Sequence, residues 1–165
     1  METKKVLTRQ NEPTSELHGS VRKRFKGVEL EYTEVYYLDH EVDEDTGMIN
    51  KNKLVKHYTR NQMDRNLKAL KNAYHIAKGA ADPIEIVNYR NKYNIPASTF
   101  SLILGFSKNT ISNIENEGIT SLSTGRLIKV CMNDKSILYQ YIQLCDFLDN
   151  QKKKELSERL MEESI

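Results

Sequence analysis

The residues best suited to contact a ligand lie in one short run: Ser107, Lys108, Asn109, Thr110, Ser112 and Asn113. An ammonium, two carboxamides and three hydroxyls on compact side chains can hydrogen-bond the base edges and phosphate oxygens of a duplex. The run pairs no nucleophile with a base. Ile111 and Ile114, three apart, mark the opposite, core-facing side of a helix expected over Lys108–Asn116. Ser107 is a suitable N-cap for that helix.

Other residues with chemical potential are scattered. The four histidines, His18, His40, His57 and His75, show no metal-ligand spacing. Cys131 and Cys145 stand fourteen apart with no histidine near, a poor zinc set, and fall in apolar helical patterns that predict buried free thiols. Asp43, Asp45 and Thr46 offer oxygens to a cation, but the stretch Asp39–Gly47 lacks the alternating ligands and final Glu of a calcium loop. It reads as a solvated acidic loop. His57 beside a carboxylate of that loop is the one imaginable acid–base pair, and it reads as a surface histidine. No nucleophile motif or phosphate-cradling glycine loop is present. The expectation is a protein without catalytic residues, metal or cofactor.

The elements that must hold the polar run come just before it. Ala97–Leu104 predicts a short helix with Phe100, Ile103 and Leu104 inward. Gly105 supplies a turn needing positive φ, and Phe106 can plug the angle between two helices. The order has the pattern of a helix-turn-helix; an ordinary helical hairpin is the alternative. At Leu104-Gly105-Phe106-Ser107, Thr110-Ile111-Ser112 and Ile114-Glu115-Asn116 the chain resembles the XRE (Cro/repressor-like) family. That resemblance implies double-stranded DNA as partner. The family often places Gln second in the first helix; Ala97 stands here, so that contact is not implied.

A wider stretch, about residues 20–145, resembles the MqsA-like antitoxins, which join a small β domain to a helix-turn-helix domain through a helical linker. The matching residues are Val35-Tyr36-Tyr37, Ile84-Glu85-Ile86 with Tyr89-Arg90 and Tyr93, Phe100 to Phe106, and Ser123 with Arg126-Leu127-Ile128. The resemblance implies an operon repressor with a toxin as a candidate partner. Many members carry a four-cysteine zinc site after the equivalent tyrosines. Leu38, Asp39, His40 and Glu41 occupy that place here, so no zinc is implied.

The remaining chain predicts an α+β protein. Residues 1–18 are polar and aperiodic and read as a mobile tail. Residues 19–58 form a small β domain: Val21–Leu38 alternates as a hairpin turning at Gly27, with a bulge expected where the apolar phase shifts between Tyr32 and Val35. Asn50–Tyr58 reads as the start of a helix or a connecting turn. Residues 59–79 are a basic linking helix capped by Thr59, with Met63, Leu67, Leu70, Tyr74 and Ala77 inward. Residues 80–148 form the five-helix domain. It opens at Asp82-Pro83, with Ile84, Val87 and Ile86 inward and Tyr93 closing the first helix. The later helices present Leu122, Leu127, Ile128, Val130 and Cys131, then Ile137, Leu138, Tyr141, Ile142, Cys145 and Leu148. Residues 149–165 are a helical tail. The apolar excess over 137–160 predicts either a homodimer seam or completion of the same core.

Net charge is +2, but it is segregated. Residues 28–50 hold eight acids and no Lys or Arg; residues 51–78 hold eight bases against Asp64 alone. Arg60, Lys68, Lys71 and Lys78 are thus candidate phosphate contacts. A solvated face, or docking to an acidic partner, explains the same charges. Residues 80–146 balance six bases against six acids, which favours the competing reading of a protein–protein adaptor. No signal-peptide core or membrane-spanning run occurs, so a cytoplasmic protein is expected.

Overall fold

The computed structural model describes residues 3–162 and is α+β. Five strands come first: β1 (Lys5–Leu7), β2 (Pro13–Ser15), β3 (Leu17–Phe25), β4 (Val28–Val42) and β5 (Ile49–His57). Seven helices follow: α1 (Arg60–Ala77), α2 (Pro83–Tyr93), α3 (Ala97–Ile103), α4 (Thr110–Glu117), α5 (Leu122–Asn133), α6 (Lys135–Leu144) and α7 (Asn150–Met161). The chain divides into two compact units, residues 1–73 and 74–165, and α1 runs through the division.

In the first unit β1 and β2 pair as one small antiparallel hairpin, and β3-β4-β5 form an antiparallel sheet in that order. The stretch expected as a mobile tail is therefore ordered over its described part. Its strands are too short for periodicity to reveal them. Lys26 and Gly27, both at positive φ (48° and 79°), make the two-residue turn between β3 and β4, the geometry that matches strand twist.

No bulge lies between Tyr32 and Val35: β3 pairs with β4 without a break from Leu17↔Tyr36 to Phe25↔Val28. The apolar phase shifts because β4 buries both faces there. Glu34 is buried on the face shared with Leu30, Val35 and Tyr37 on the other. The irregularity falls instead at His40/Glu41, where pairing jumps from His40↔Leu54 to Glu41↔Asn50. Asn50–Tyr58 is not a helix or simple turn but mostly strand β5. Its lysines and largely exposed residues hid it, as is usual on an edge strand. The acidic loop shrinks to a turn in which the Asp43 carboxylate accepts from the N–H groups of Asp45 (2.9 Å) and Thr46 (3.3 Å).

Helix α1 starts in a reciprocal cap: Thr59 Oγ1 accepts from Gln62 N, and Gln62 Oε1 accepts from Thr59 N. Its expected apolar stripe is only partly correct. Leu70 is buried, but Met63 and Leu67 are about half exposed. The inward face of the first turns is polar instead. Gln62 Nε2 and both terminal nitrogens of Arg65 donate to Glu16 (3.1, 2.8 and 2.9 Å). The Asn66 amide pairs with the N–H and C=O of Val35 (2.8 and 2.9 Å), completing a stretch of β4 that has β3 on one side only.

The second unit is all-helical around one core that includes Ile86, Phe100, Ile103, Ile111, Ile128 and Leu138. Asp82, Ser121, Asp134 and Asp149 each cap the helix they precede, and Pro83 opens α2 inside a capping box with Glu85. Two expected core residues, Ile84 and Val130, are exposed; Ile86 takes the inward position on α2. Among the described glycines Gly125 has the least room: an added Cβ would lie 2.5 Å from Ala80 Cβ. Cys131 and Cys145 are buried free thiols, and burial pushes the Cys131 thiol up from its ordinary value. The expected tail is helix α7, whose Leu156 and Leu160 belong to the core. Among the described residues no helix is long and apolar enough to cross a membrane.

Candidate nucleic-acid interface

Helix α3 ends because Gly105 sits at φ 83°, a left-handed conformation that L side chains rarely adopt. The N–H of Phe106 then reaches the carbonyl of Ser101 (2.9 Å) and that of Gly105 the carbonyl of Leu102 (3.1 Å), the paired bonds of a Schellman end. Phe106 packs partly buried against the core. The chain thus turns into α4 within six residues, Leu104 to Asn109.

Helix α4 begins at Thr110, two residues later than expected, and its N-cap position is Asn109 rather than Ser107. Ser107 and Lys108 lie in the preceding turn, where the carbonyl of Ser107 accepts from Thr110 N (3.1 Å) and the two hydroxyls of Ser107 and Thr110 bond at 2.9 Å. Ile111 and Ile114 are buried as their spacing requires, and Gly118 ends the helix at φ 71°.

The six candidate residues are contiguous on this turn and helix. Ser107, Lys108, Asn109 and Asn113 are exposed; Thr110 and Ser112 are half-buried. Ser112 Oγ donates to the Asn109 carbonyl (3.0 Å), which leaves its lone pairs for a donor. The side chains of Lys108, Asn109 and Asn113 have no partner among the described residues. The result is a short polar ridge whose other side is fixed by two isoleucines.

Two groups whose positioning role no sequence pattern signals hold α4 in place. Arg90 on α2 grips Glu115 on α4 in a forked contact, Nε–Oε1 2.6 Å and Nη2–Oε2 2.8 Å, and its Nη1 donates to the Ile95 carbonyl at 3.0 Å. Both side chains are about one-seventh exposed, so a planar guanidinium ties three segments at one point. The pair also neutralises a carboxylate on the polar ridge's own helix. Ser101 on α3 is the second: its Oγ accepts from Ile111 N at 3.0 Å. Both contacts join residues at least ten apart through tertiary structure. No local pattern signals them.

The zero charge balance of 80–146 is therefore uneven in space. Glu115 is matched by Arg90 and Glu85 by Lys129. Lys135 is spent on the Leu160 carbonyl. Lys108 remains exposed beside the polar ridge. Arg60, Lys68 and Lys71 are exposed in the first unit and Lys78 in the second. The carbonyl of Lys78 accepts from Arg126 Nε at 2.7 Å. Among the described residues, no three His, Cys, Asp or Glu side chains come together as a metal site.

Comparison of the chain with protein-family models, with curated proteins and with solved structures finds no match in any of the three.

Proposed function

We propose that this chain is a sequence-specific regulator that binds double-stranded DNA through α4, as an autorepressing antitoxin-like protein or a phage-type repressor in the cytoplasm. In this reading α2–α6 are an XRE/Cro-like domain, α3 and α4 its helix-turn-helix, and the chain is not an enzyme. One observation carries it: α4 buries Ile111 and Ile114 while Lys108, Asn109 and Asn113 stand exposed without protein partners. Lys108, Asn109 and Asn113 meet base edges, and Ser107, Thr110 and Ser112 lie at the rim of the groove. Arg60, Lys68, Lys71 and Lys78 add phosphate attraction, so affinity falls steeply with salt. A homodimer sets two copies of α4 about 34 Å apart on one face of the duplex. Its seam lies on the exposed apolar residues Tyr139, Leu144 and Phe147.

Selection of bound duplexes from a random-sequence pool tests the reading. Enrichment of one motif, a palindrome for a dimer, is expected. Recovery of random sequence would sink it. The Lys108→Ala, Asn109→Ala double variant should lose the motif; if it binds as well as the parent, α4 is not the reader.

A second reading is favoured by a different observation. Met63 and Leu67 are half exposed on a helix that also carries Arg60, Lys68 and Lys71. Such a mixed apolar and basic face suits docking to an acidic protein, a toxin among them, with DNA binding secondary or lost. Met63→Asp with Leu67→Asp should then abolish capture of that partner by the full chain and leave duplex selection intact. Unchanged capture would exclude this face.

A further inference from the structure

The first turn of α4 is capped differently from four other helices of its unit. Asp82, Ser121, Asp134 and Asp149 each accept an N–H of the helix they precede. Asn109 makes no side-chain cap bond. Its backbone, at φ −100° and ψ 2°, is not in the extended conformation that aims a cap side chain at the helix. Ile111, the second residue of α4, is fully buried. Its orphan N–H therefore needs a protein acceptor.

That acceptor is Ser101 Oγ at 3.0 Å, ten residues back on α3. Ser101 is itself fully buried. Its single proton goes to the Ala97 carbonyl at 2.9 Å, and its backbone carbonyl accepts from Phe106 N in the turn. A serine in a helix commonly bonds the carbonyl four residues back, which explains the bond to Ala97. It does not explain a lone pair aimed at the N–H of another helix. With its proton committed to α3, the hydroxyl has a set orientation, and its lone pair sets where α4 must begin. An alanine there would leave the N–H of the fully buried Ile111 without this acceptor.

We propose that Ser101 is a specificity-determining positioning residue, whose hydroxyl caps α4 from across the turn and sets the angle at which Lys108, Asn109 and Asn113 meet the duplex. The inference rests on the DNA-binding reading above. It adds that discrimination between sequences, more than attraction to phosphate, depends on a side chain that never touches DNA.

The test compares the full chain with Ser101→Ala and Ser101→Cys on two probes: the duplex that the parent selects from a random pool, and a scrambled duplex of equal length. Circular dichroism first establishes that each variant is folded. The nearly isosteric thiol, a weaker acceptor, serves if the alanine variant does not fold. For Ser101→Ala, affinity for the selected duplex should fall about tenfold, equivalent to about 1.4 kcal/mol, with Ser101→Cys between it and the parent. Affinity for the scrambled duplex and the salt slope should not change. Amide exchange at Ile111 should accelerate while that at Ile114 does not. Undiminished discrimination in the variants, or unchanged exchange at Ile111, overturns the assignment of Ser101 alone. A parent that discriminates between no duplexes overturns both this assignment and the reading it rests on.

Discussion

The two compact units are held together by different physics. In residues 74–165 the buried side chains are almost all apolar and form one cluster. In residues 1–73 the buried apolar residues are Leu30, Val35, Tyr37 and Leu70, and Glu16, Glu34 and Gln62 are buried as deeply. Glu16 is met by the Arg65 fork and Gln62; Glu34 accepts from Lys56 Nζ at 2.6 Å and Tyr58 Oη at 3.2 Å. A buried ion pair adds little net stability over apolar packing, yet breaking it by removing one partner is costly. The first unit thus gains a specific arrangement, and its stability depends on charge. The second draws most of its stability from apolar packing, with charge confined to the Arg90–Glu115 fork, the Lys129–Glu85 pair and the aspartate caps at its margins.

The largest test of this contrast is Phe100→Ala. The ring is fully buried and stacks near Tyr89 with centroids 6.0 Å apart. Its removal should cost the second unit about 4 kcal/mol through lost burial and a residual cavity. Denaturant unfolding at pH 7 and pH 3 should give the same loss within error. A loss that shrank with acid would show that charges also hold this core.

Arg65→Ala should cost the first unit about 3 kcal/mol at pH 7, because it strands the Glu16 carboxylate. The Arg65 hydrogen bonds hold the Glu16 carboxyl down from 4.5 to about 2 against the opposing effect of burial. A folded pKa below the unfolded one gives stability that is present above pH 4.5 and is lost as pH falls through about 2. The parent's first unit should therefore weaken between pH 4.5 and 2, and the penalty of Arg65→Ala should vanish over the same range. Amide exchange resolved by unit would measure it. A constant penalty down to pH 2 would break the proposed asymmetry.

This asymmetry also explains what could be read from the residues alone. The second unit is largely legible because burial there mostly follows helical spacing, with Ile84 and Val130 as the exceptions. Ile111 and Ile114, Asp82-Pro83, Gly105 and Phe106 all stand where the pattern puts them. In the first unit the inward positions of α1 belong to Gln62, Arg65 and Asn66, so a stripe drawn through Met63 and Leu67 found the wrong face. Strand β5 was missed for a related reason: an exposed lysine-rich edge leaves no apolar alternation. At the candidate interface the outward polarity of Lys108, Asn109 and Asn113 is legible in their residue types, but the helix start is not, since Ser107 and Lys108 lie in the turn and Thr110 and Ser112 are half-buried. Ser101 and the Arg90–Glu115 fork are not legible either. Their roles exist only once α2, α3 and α4 meet.

Gly125→Ala probes packing without charge. The new methyl would lie 2.5 Å from Ala80 Cβ and 2.8 Å from Thr120 Oγ1, and Ala80 has no flexible end to move aside. Helix propensity favours alanine by roughly 1 kcal/mol, but overpacking of this kind typically costs about 1–3 kcal/mol. A net loss of up to about 2 kcal/mol in the second unit is expected from thermal unfolding. A gain would mean that the segment around Ala80 yields, and that this contact is looser than the core beside it.

The smallest effect on stability belongs to the residues proposed to read the duplex. Lys108 and Asn109 are exposed and make no side-chain bond within the described protein. Their joint replacement by alanine should shift unfolding by no more than about 0.5 kcal/mol. The same double variant is expected to lose sequence-selective duplex binding. Residues kept for folding should show the reverse, with stability falling before selectivity. Should the double variant lose several kcal/mol, the polar ridge would be part of the second unit's structural framework, and its exposure would no longer argue for an external partner.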